Sequence, residues 1–473
     1  MRAHEAGALH ADGYRGPTWL QQPVDVNALA PTLWARTVGR SAAGVLTVGG
    51  VAVTDLAERF GTPAYVVDEE DFRARAVEFR TTYAEIFGDL CGGADVYYAG
   101  KAFLCTEIAR WVRDDGLGLD VCTGGELAVA IRAGMPPERI GVHGNNKSRA
   151  ELEAALDYGV GRIVVDSFAE IDRLAEVARR RERPAPVLIR VTVGVEAHTH
   201  EFIATAHEDQ KFGFSLATGD AAEAVRRVLA HGPHLRLLGL HSHIGSQIFD
   251  TSGFEVSARR VLRLHAQVAV EHGLELPELD LGGGFGIAYT SEHDPMPPTH
   301  LAADMAEIVE RECRAGGVGI PRISIEPGRA IAGPSTFTLY EVGTVKQVRL
   351  DGGATRAYLS VDGGMSDNIR PALYDADYSC ALASRASTAA PALSRVVGKH
   401  CESGDIVVKD EFLPADVAPG DLLAVPGTGA YCRALSSQYN HTPRPPVVAV
   451  RDGAARVLVR RETIEDLLAL DAG

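Results

Sequence analysis

Nowhere in this chain do eighteen apolar residues run together, so no segment reads as a bilayer-spanning helix. Cysteine is scarce and badly placed for cross-linking. The seven residues Cys91, Cys105, Cys122, Cys313, Cys380, Cys401 and Cys432 are odd in number and form no CxxC pair, which speaks against a disulfide framework or a structural zinc site. A surplus of positive charge is missing too. Lys and Arg total 47 against 63 Asp and Glu, a formal net charge of -16, so the electrostatic footprint of a nucleic-acid partner is absent. The first thirty residues carry Arg2, Glu5, Asp12, Arg15 and Pro17 where a secretory signal would need an apolar stretch, and the expectation is a cytoplasmic protein with no membrane association.

What is present is an ordinary globular balance, 46% hydrophobic and 23% charged over 473 residues, long enough for two domains with separate cores. Residues 1–50 lack sustained periodicity and read as an extension draped on the surface or on a partner. From residue 69 to 333, strand-like and helix-like stretches alternate. Strand candidates fall at 96–101, 118–121, 140–143, 162–165, 187–193, 237–243, 279–282 and 322–326, with helix-length segments at 124–133, 168–181, 221–230, 256–272 and 301–315. Eight strands with intervening helices over roughly 240 residues predict a closed (β/α)8 barrel rather than an open doubly wound sheet. Residues 334–473 change to short β-rich runs at 337–347, 357–361, 394–400, 422–425 and 447–450, broken by Gly, Pro and Asp, and predict a mostly-β sandwich or barrel domain. The segment 381–391 (ALASRASTAAP) reads as a small-residue loop. Residues 1–68 hold the extension and a ninth strand at 64–68 (AYVVD), which the barrel does not need and which is expected to join the second domain.

Several barrel strands end in residues suited to chemistry. Segment 235–247, LRLLGLHSHIGSQ, runs an apolar strand into His241 and His243 and then a Gly-Ser-Gln turn. Strand seven ends in Gly282-Gly283-Gly284-Phe285-Gly286 and strand eight in Glu326-Pro327-Gly328-Arg329. Phosphate sites in this architecture commonly lie in the loops after strands seven and eight, where glycines let backbone N–H groups close on an anion. With Gly245 and Ser246, these loops form a candidate cup for one phosphate. A GxGxxG dinucleotide reading fails, because the spacing is wrong and a barrel has no strand-order switch crevice. Lys101, at the end of the first strand, is flanked by small and apolar residues. Desolvation there would disfavour its ammonium and leave an amine usable for Schiff-base chemistry.

Lys101 in YAGKA, His243 in HSHIGSQ, Gly282–Gly286 in GGGFG, 326–329 in EPGR and 401–405 in CESGD together resemble the motif series of the fold type III pyridoxal-phosphate decarboxylases, and more narrowly that of the diaminopimelate decarboxylases. The match runs in order over about residues 60–460. Gly100 departs from it where a bulkier residue is usual, and Phe103 where asparagine is frequent. The resemblance implies removal of CO2 from meso-2,6-diaminopimelate to give L-lysine, the last step of lysine biosynthesis, by a carboxy-lyase using pyridoxal 5'-phosphate. It implies that Lys101 holds the cofactor as a Schiff base and that His243 stacks on its ring. Ser246, Gly284, Gly328 and Arg329 would hold the phosphate, and Glu326 would keep the pyridine nitrogen protonated. Arg329, Arg370 and Tyr374 would bind the distal carboxylate of the substrate and Glu402 its distal ammonium. Cys401, from the partner subunit of a homodimer with shared sites, would be the proton donor. Tyr431, in Gly427-Thr428-Gly429-Ala430-Tyr431, would reach the cofactor from the second domain and line the substrate. The alternatives are an ornithine- or arginine-type decarboxylase and a non-catalytic regulatory homologue. His198, His200 and His207, with Glu201, Glu208 and Asp209, could in principle ligate a metal, but their spacing lacks the i, i+4 pattern of a metalloprotease and no metal is expected. Cys122 stands at the end of the second strand, near the same mouth.

Overall fold

The computed structural model describes residues 16–194, 211–350 and 353–473. The chain divides into two compact units, one of Arg73–Gly286 with Pro295–Ile331 and the other of Met1–Phe72, Ile287–Asp294 and Ala332–Gly473. In the first, eight strands lie in one parallel sheet: β1 (Ala94–Ala99), β2 (Gly118–Val121), β3 (Ile140–Val142), β4 (Arg162–Val165), β5 (Ala185–Thr192), β6 (Leu235–His241), β7 (Glu278–Asp280) and β8 (Arg322–Ile325). Each pairs with its neighbour in sequence, and the ring closes where Ile325 of β8 registers with Val96 of β1. This is the expected (β/α)8 barrel, with every strand within two residues of its expected position. Its strands are buried along nearly their whole length, as parallel strands covered by helices should be.

The helices start where the sequence supplies caps. Thr123 and Ser167 accept the N–H of Glu126 and Glu170, and Ser148 forms a full capping box with Glu151. The helix that completes the outer ring is Glu69–Ile86, which precedes β1. Its Tyr83 hydroxyl reaches the Met305 sulfur on helix Pro298–Gly316 at 3.3 Å, and its Phe79 ring lies 5.6 Å from that of Phe285.

The second unit is β-rich. Its main sheet runs Ile406–Pro414, Pro391–Val397, Thr355–Val361, Thr336–Arg349, Ala64–Asp68, Val447–Arg451 and Ala454–Val459. Ala64–Asp68 pairs antiparallel with Thr336–Arg349 and parallel with Val447–Arg451, so the ninth strand does join this unit. Two strands not singled out in the sequence, Ile406–Pro414 and Ala454–Val459, stand at the sheet's ends and carry charges (Lys409, Asp410, Glu411, Arg456), as edge strands commonly do; those charges blur the apolar alternation. The expected loop at 381–391 is shorter than read, because Ala381–Leu382 pairs with Leu422–Pro426 and Pro391 opens a strand.

The larger correction concerns the extension. Gly39–Arg40, Leu46–Val48 and Val51–Ala52 form a three-stranded sheet, and Leu33, Trp34, Leu46 and Val48 are buried in one cluster with Phe337, Leu339 and Val448. Trp34 and Phe337 lie 6.1 Å apart, ring centre to ring centre. Strands of two or three residues are too short to register as periodicity, so a core contribution read as drapery. Leu46, fully buried, tests this. Leu46→Ala should cost about 2–5 kcal/mol in denaturant unfolding, as core truncations do, whereas a residue on a draped segment would cost under about 0.5 kcal/mol.

Candidate active site

The carboxyl ends of the barrel strands surround a cavity of about 420 Å³, of the size that small-molecule and cofactor sites occupy. Lys101, Asp120, His143, Arg190, His241, His243 and Glu326 line it. Lys101 follows β1 by one turn of loop. The Gly100 N–H donates to the Asp120 carbonyl at 2.9 Å, and a Cβ on Gly100 would stand 2.7 Å from that same oxygen. The strand end therefore has no room for the bulkier residue usual there. One expectation changes: the Lys101 side chain is exposed to the cavity rather than desolvated among apolar groups. Its neighbours are small because the backbone is tight.

The loops after β6, β7 and β8 interlock. Ile248 donates its N–H to the Gly284 carbonyl at 2.9 Å, and the Gly286 N–H returns to the Ile248 carbonyl at 3.0 Å. Gly284 has φ +104, and a Cβ there would lie 2.4 Å from the Gly245 carbonyl; a Cβ on Gly283 would lie 2.1 Å from that of Glu326. Only glycine permits these approaches. Arg329 donates to the Ser246 hydroxyl at 2.8 Å, tying the third loop to the first. Ser246, Gly284, Gly328 and Arg329, read as one cup from the sequence, thus sit on three mutually braced loops, although they are not among the groups lining the cavity.

Glu326 is only 7% exposed, and burial raises its carboxyl above the usual range. Its Oε1 receives the His241 Nε2 at 2.9 Å and lies 3.5 Å from His143 Nε2, which in turn is 3.1 Å from Asp120 Oδ1. Burial holds both imidazoles down, His143 to about 4 and His241 well below the ordinary range, so both are neutral near pH 7. Asp120 is raised well above the usual carboxyl range by the same desolvation. His243 accepts the Gly283 N–H at Nδ1 (3.2 Å), which leaves the proton of the neutral ring on Nε2. No local sequence pattern marks out His143, His241 or Asp120 for a role at this site. The paired histidines of HSH and the histidine ending β3 were visible in the sequence, but nothing local says that they meet Glu326. Cys122 lines the same cavity with its thiol pushed up to about 12 by burial and then by the Glu126 carboxylate.

The remaining expected residues lie in the β-rich unit. Arg370 is 5% exposed, donates to the Tyr378 hydroxyl, and stacks 4.6 Å over the Tyr289 ring. No carboxylate among the described residues pairs with it. It opens a short helix, Arg370–Tyr374, on which Tyr374 is half-buried. Cys401 and Glu402 are exposed, on a loop braced by Asp405, whose carboxylate accepts the N–H groups of His400 (2.8 Å) and Met365 (2.6 Å). Tyr431 holds a left-handed backbone, φ +65, a conformation that non-glycine residues keep only where the surroundings impose it. His198, His200, Glu201, His207, Glu208 and Asp209 lie outside the described residues. Among those described, His143, His241 and Glu326 form a group whose ligand atoms all fall within 4.8 Å of one another.

A family model for the pyridoxal binding domain of pyridoxal-dependent decarboxylases matches residues 73–333. The chain belongs to that class of barrel enzymes. It is 58% identical to the diaminopimelate decarboxylase of Mycobacterium tuberculosis over 447 residues, 94% of this chain and 98% of the relative. To that of Mycobacterium leprae it is 55% identical over the full length of both. Among solved structures, the diaminopimelate decarboxylase of M. jannaschii in complex with L-lysine matches at a TM-score of 0.86 and 29% identity, covering 93% of this chain and 99% of that one. Within the pyridoxal-dependent decarboxylases, this chain is a member of the diaminopimelate decarboxylase family.

The depressed His143 sets a pH dependence. In the unfolded chain its proton binds near 6.5, in the folded chain near 4, so between those values the unfolded state holds more protons and this group's contribution to stability falls as pH drops from about 6.5 to about 4. Histidine NMR should show His143 titrating near 4, and His143→Gln should remove this component from the stability difference measured against pH. A titration near 6.5 would contradict the burial argument.

Proposed function

We propose that this chain decarboxylates meso-2,6-diaminopimelate at its D-configured centre, releasing L-lysine and CO2, with pyridoxal 5'-phosphate as cofactor. The near-complete coverage of diaminopimelate decarboxylases at 55–58% identity supports the reaction. The single observation that carries the substrate choice is Arg370, a buried guanidinium with no carboxylate partner among the described residues. A buried cation in that state is costly, and a substrate carboxylate would satisfy it bidentately.

The donor set fits the cofactor. An amine open to a cavity suits an aldehyde, a carboxylate whose Oε2 has no partner among the described residues suits a ring nitrogen, and a glycine-rich, Arg- and Ser-bearing trio of loops suits a phosphate. Bound there, pyridoxal phosphate supplies an electron-poor ring that takes up the electron pair left when CO2 departs. Lys101 would hold it, His243 would lie against its ring face, and Ser246, Gly284, Gly328 and Arg329 would hold its phosphate. Arg329, Arg370 and Tyr374 would orient the distal carboxylate of the substrate, Glu402 the distal ammonium, and Tyr431 would close on cofactor and substrate together. Cys401 would deliver the proton that replaces CO2. Its exposure, and that of Glu402, fits residues that complete the site of a partner subunit in a homodimer.

CO2 release with product identification, offering the meso and L,L isomers, ornithine and arginine in parallel with pyridoxal phosphate, tests the reading. Turnover of the meso isomer alone to lysine is expected. Turnover of ornithine or arginine would overturn the substrate, and silence on all four would favour a regulatory homologue. Arg370→Ala should lower kcat/KM by about 2–4 kcal/mol, roughly 30- to 1,000-fold, with cofactor affinity unchanged. Equal loss of cofactor would make the residue structural. Mixing inactive Lys101→Ala and Cys401→Ala subunits should restore activity at up to about a quarter of the sites of a dimer with isologous, shared sites. No restoration would mean that each site is built within one chain.

A further inference from the structure

Two features of the cavity floor are unexplained by cofactor binding alone. His241 Nε2 hydrogen-bonds one oxygen of Glu326, Oε1, at 2.9 Å, and His143 Nε2 stands 3.5 Å from the same oxygen without a hydrogen bond to it, nearer to Asp120 Oδ1 at 3.1 Å, while Oε2 has no partner among the described residues and Glu326 lines the cavity. The other ring nitrogen of His241, Nδ1, is fully buried with no hydrogen-bond partner among the described residues. A neutral imidazole carries one proton. If it sits on Nε2, the ring donates to the carboxylate and leaves a bare acceptor at Nδ1. If it sits on Nδ1, a buried N–H is orphaned, the rarer and worse defect, and Nε2 can meet Oε1 only if Glu326 is itself protonated. The fold thus tolerates an unpaired buried nitrogen in order to aim the other at Glu326.

We propose that His241 is a positioning residue whose Nε2–H grips Oε1 of Glu326, stabilising the ionised carboxylate and presenting Oε2 to the ring nitrogen of the cofactor. His143, edge-on to His241 with ring centres 5.2 Å apart, flanks the same oxygen from β3 and limits rotation of the carboxylate. This rests on the reading that Glu326 faces the cofactor's nitrogen. Burial pushes Glu326 toward its neutral form, in which it could not hold a proton on that nitrogen, while Lys101 and Arg162 draw it back; a buried N–H donor at 2.9 Å favours the ionised form further without adding a charge.

Two measurements test it. In the cofactor-free wild-type protein, nitrogen-15 NMR of labelled histidine should show His241 protonated at Nε2 and bare at Nδ1 at neutral pH, with the Nε2 signal moving on Glu326→Gln. Protonation at Nδ1 would overturn the proposal whether or not any variant folds. In the holoenzyme, His241→Leu should lower kcat about 10- to 100-fold and weaken cofactor binding with KM for meso-diaminopimelate little changed, as loss of a group that orients a ligating residue does, and His241→Gln, which keeps an N–H at similar reach, should recover most of it. Wild-type kcat in His241→Leu, or equal loss in both variants, would overturn the proposal alone. Wild-type activity and cofactor affinity in Glu326→Gln would instead overturn the reading of Glu326 on which it rests.

Discussion

A Cβ on Gly283 would lie 2.1 Å from the Glu326 carbonyl, and that contact between the ends of β7 and β8 is the constraint on which the site depends. The Glu326 N–H also donates to the Gly282 carbonyl at 3.0 Å, so the backbone of the acidic residue is fixed from both sides by a loop that has no side chains to yield. Gly284 presses on the Gly245 carbonyl, and the β6 loop is drawn into the same stack. The backbone position of Glu326 and the stacking of the three loops that carry Ser246, Gly284 and Arg329 rest on this close approach.

Beneath the loops, a polar network fills the barrel where aliphatic side chains would be expected. Arg162 of β4, 3% exposed, pairs with Asp280 of β7 at 2.9 Å, donates to Ser324 of β8 at 2.8 Å, and lies 3.6 Å over the Tyr97 ring of β1. Ser324 closes the circuit by donating to Asp280, whose other oxygen takes the Gly282 N–H at 2.8 Å. A buried ion pair of this kind adds little net stability against an apolar replacement, but removing one partner leaves a stranded charge. Here it fastens the first glycine of the β7 loop to three other strands, linking barrel closure to the geometry of the cavity floor.

The β-rich unit uses the same device with a different carboxylate. Asp405 gathers the N–H groups of His400 and Met365, and a Cβ on Gly398 would stand 2.2 Å from its Oδ2, so the loop bearing Cys401 and Glu402 is rigid at its base while its tip stays exposed. Asp367, three residues before Arg370, braces the neighbouring segment through the Gly364 N–H at 2.8 Å and the Tyr340 hydroxyl. In both segments a buried carboxylate gathers backbone N–H groups and fixes the chain beside it.

The barrel was legible because buried parallel strands and capped helices alternate with spacings that survive in one dimension. The motif series was legible because its residues cluster at strand ends. Lys101, His243 and Glu326 line one cavity as the order of strands alone requires. Other features were decided only in three dimensions. That His143 and His241 share one oxygen of Glu326 depends on β3, β6 and β8 meeting across a closed ring. Gly100 looked like a departure and is instead the residue that the Asp120 carbonyl demands. Leu33, Trp34, Leu46 and Val48 belong to a core assembled from segments about three hundred residues apart, in strands too short to carry a period. Sequence specifies local geometry and the chemical alphabet of the site; which atoms face one another is set by ring closure and backbone contact, which no local pattern records.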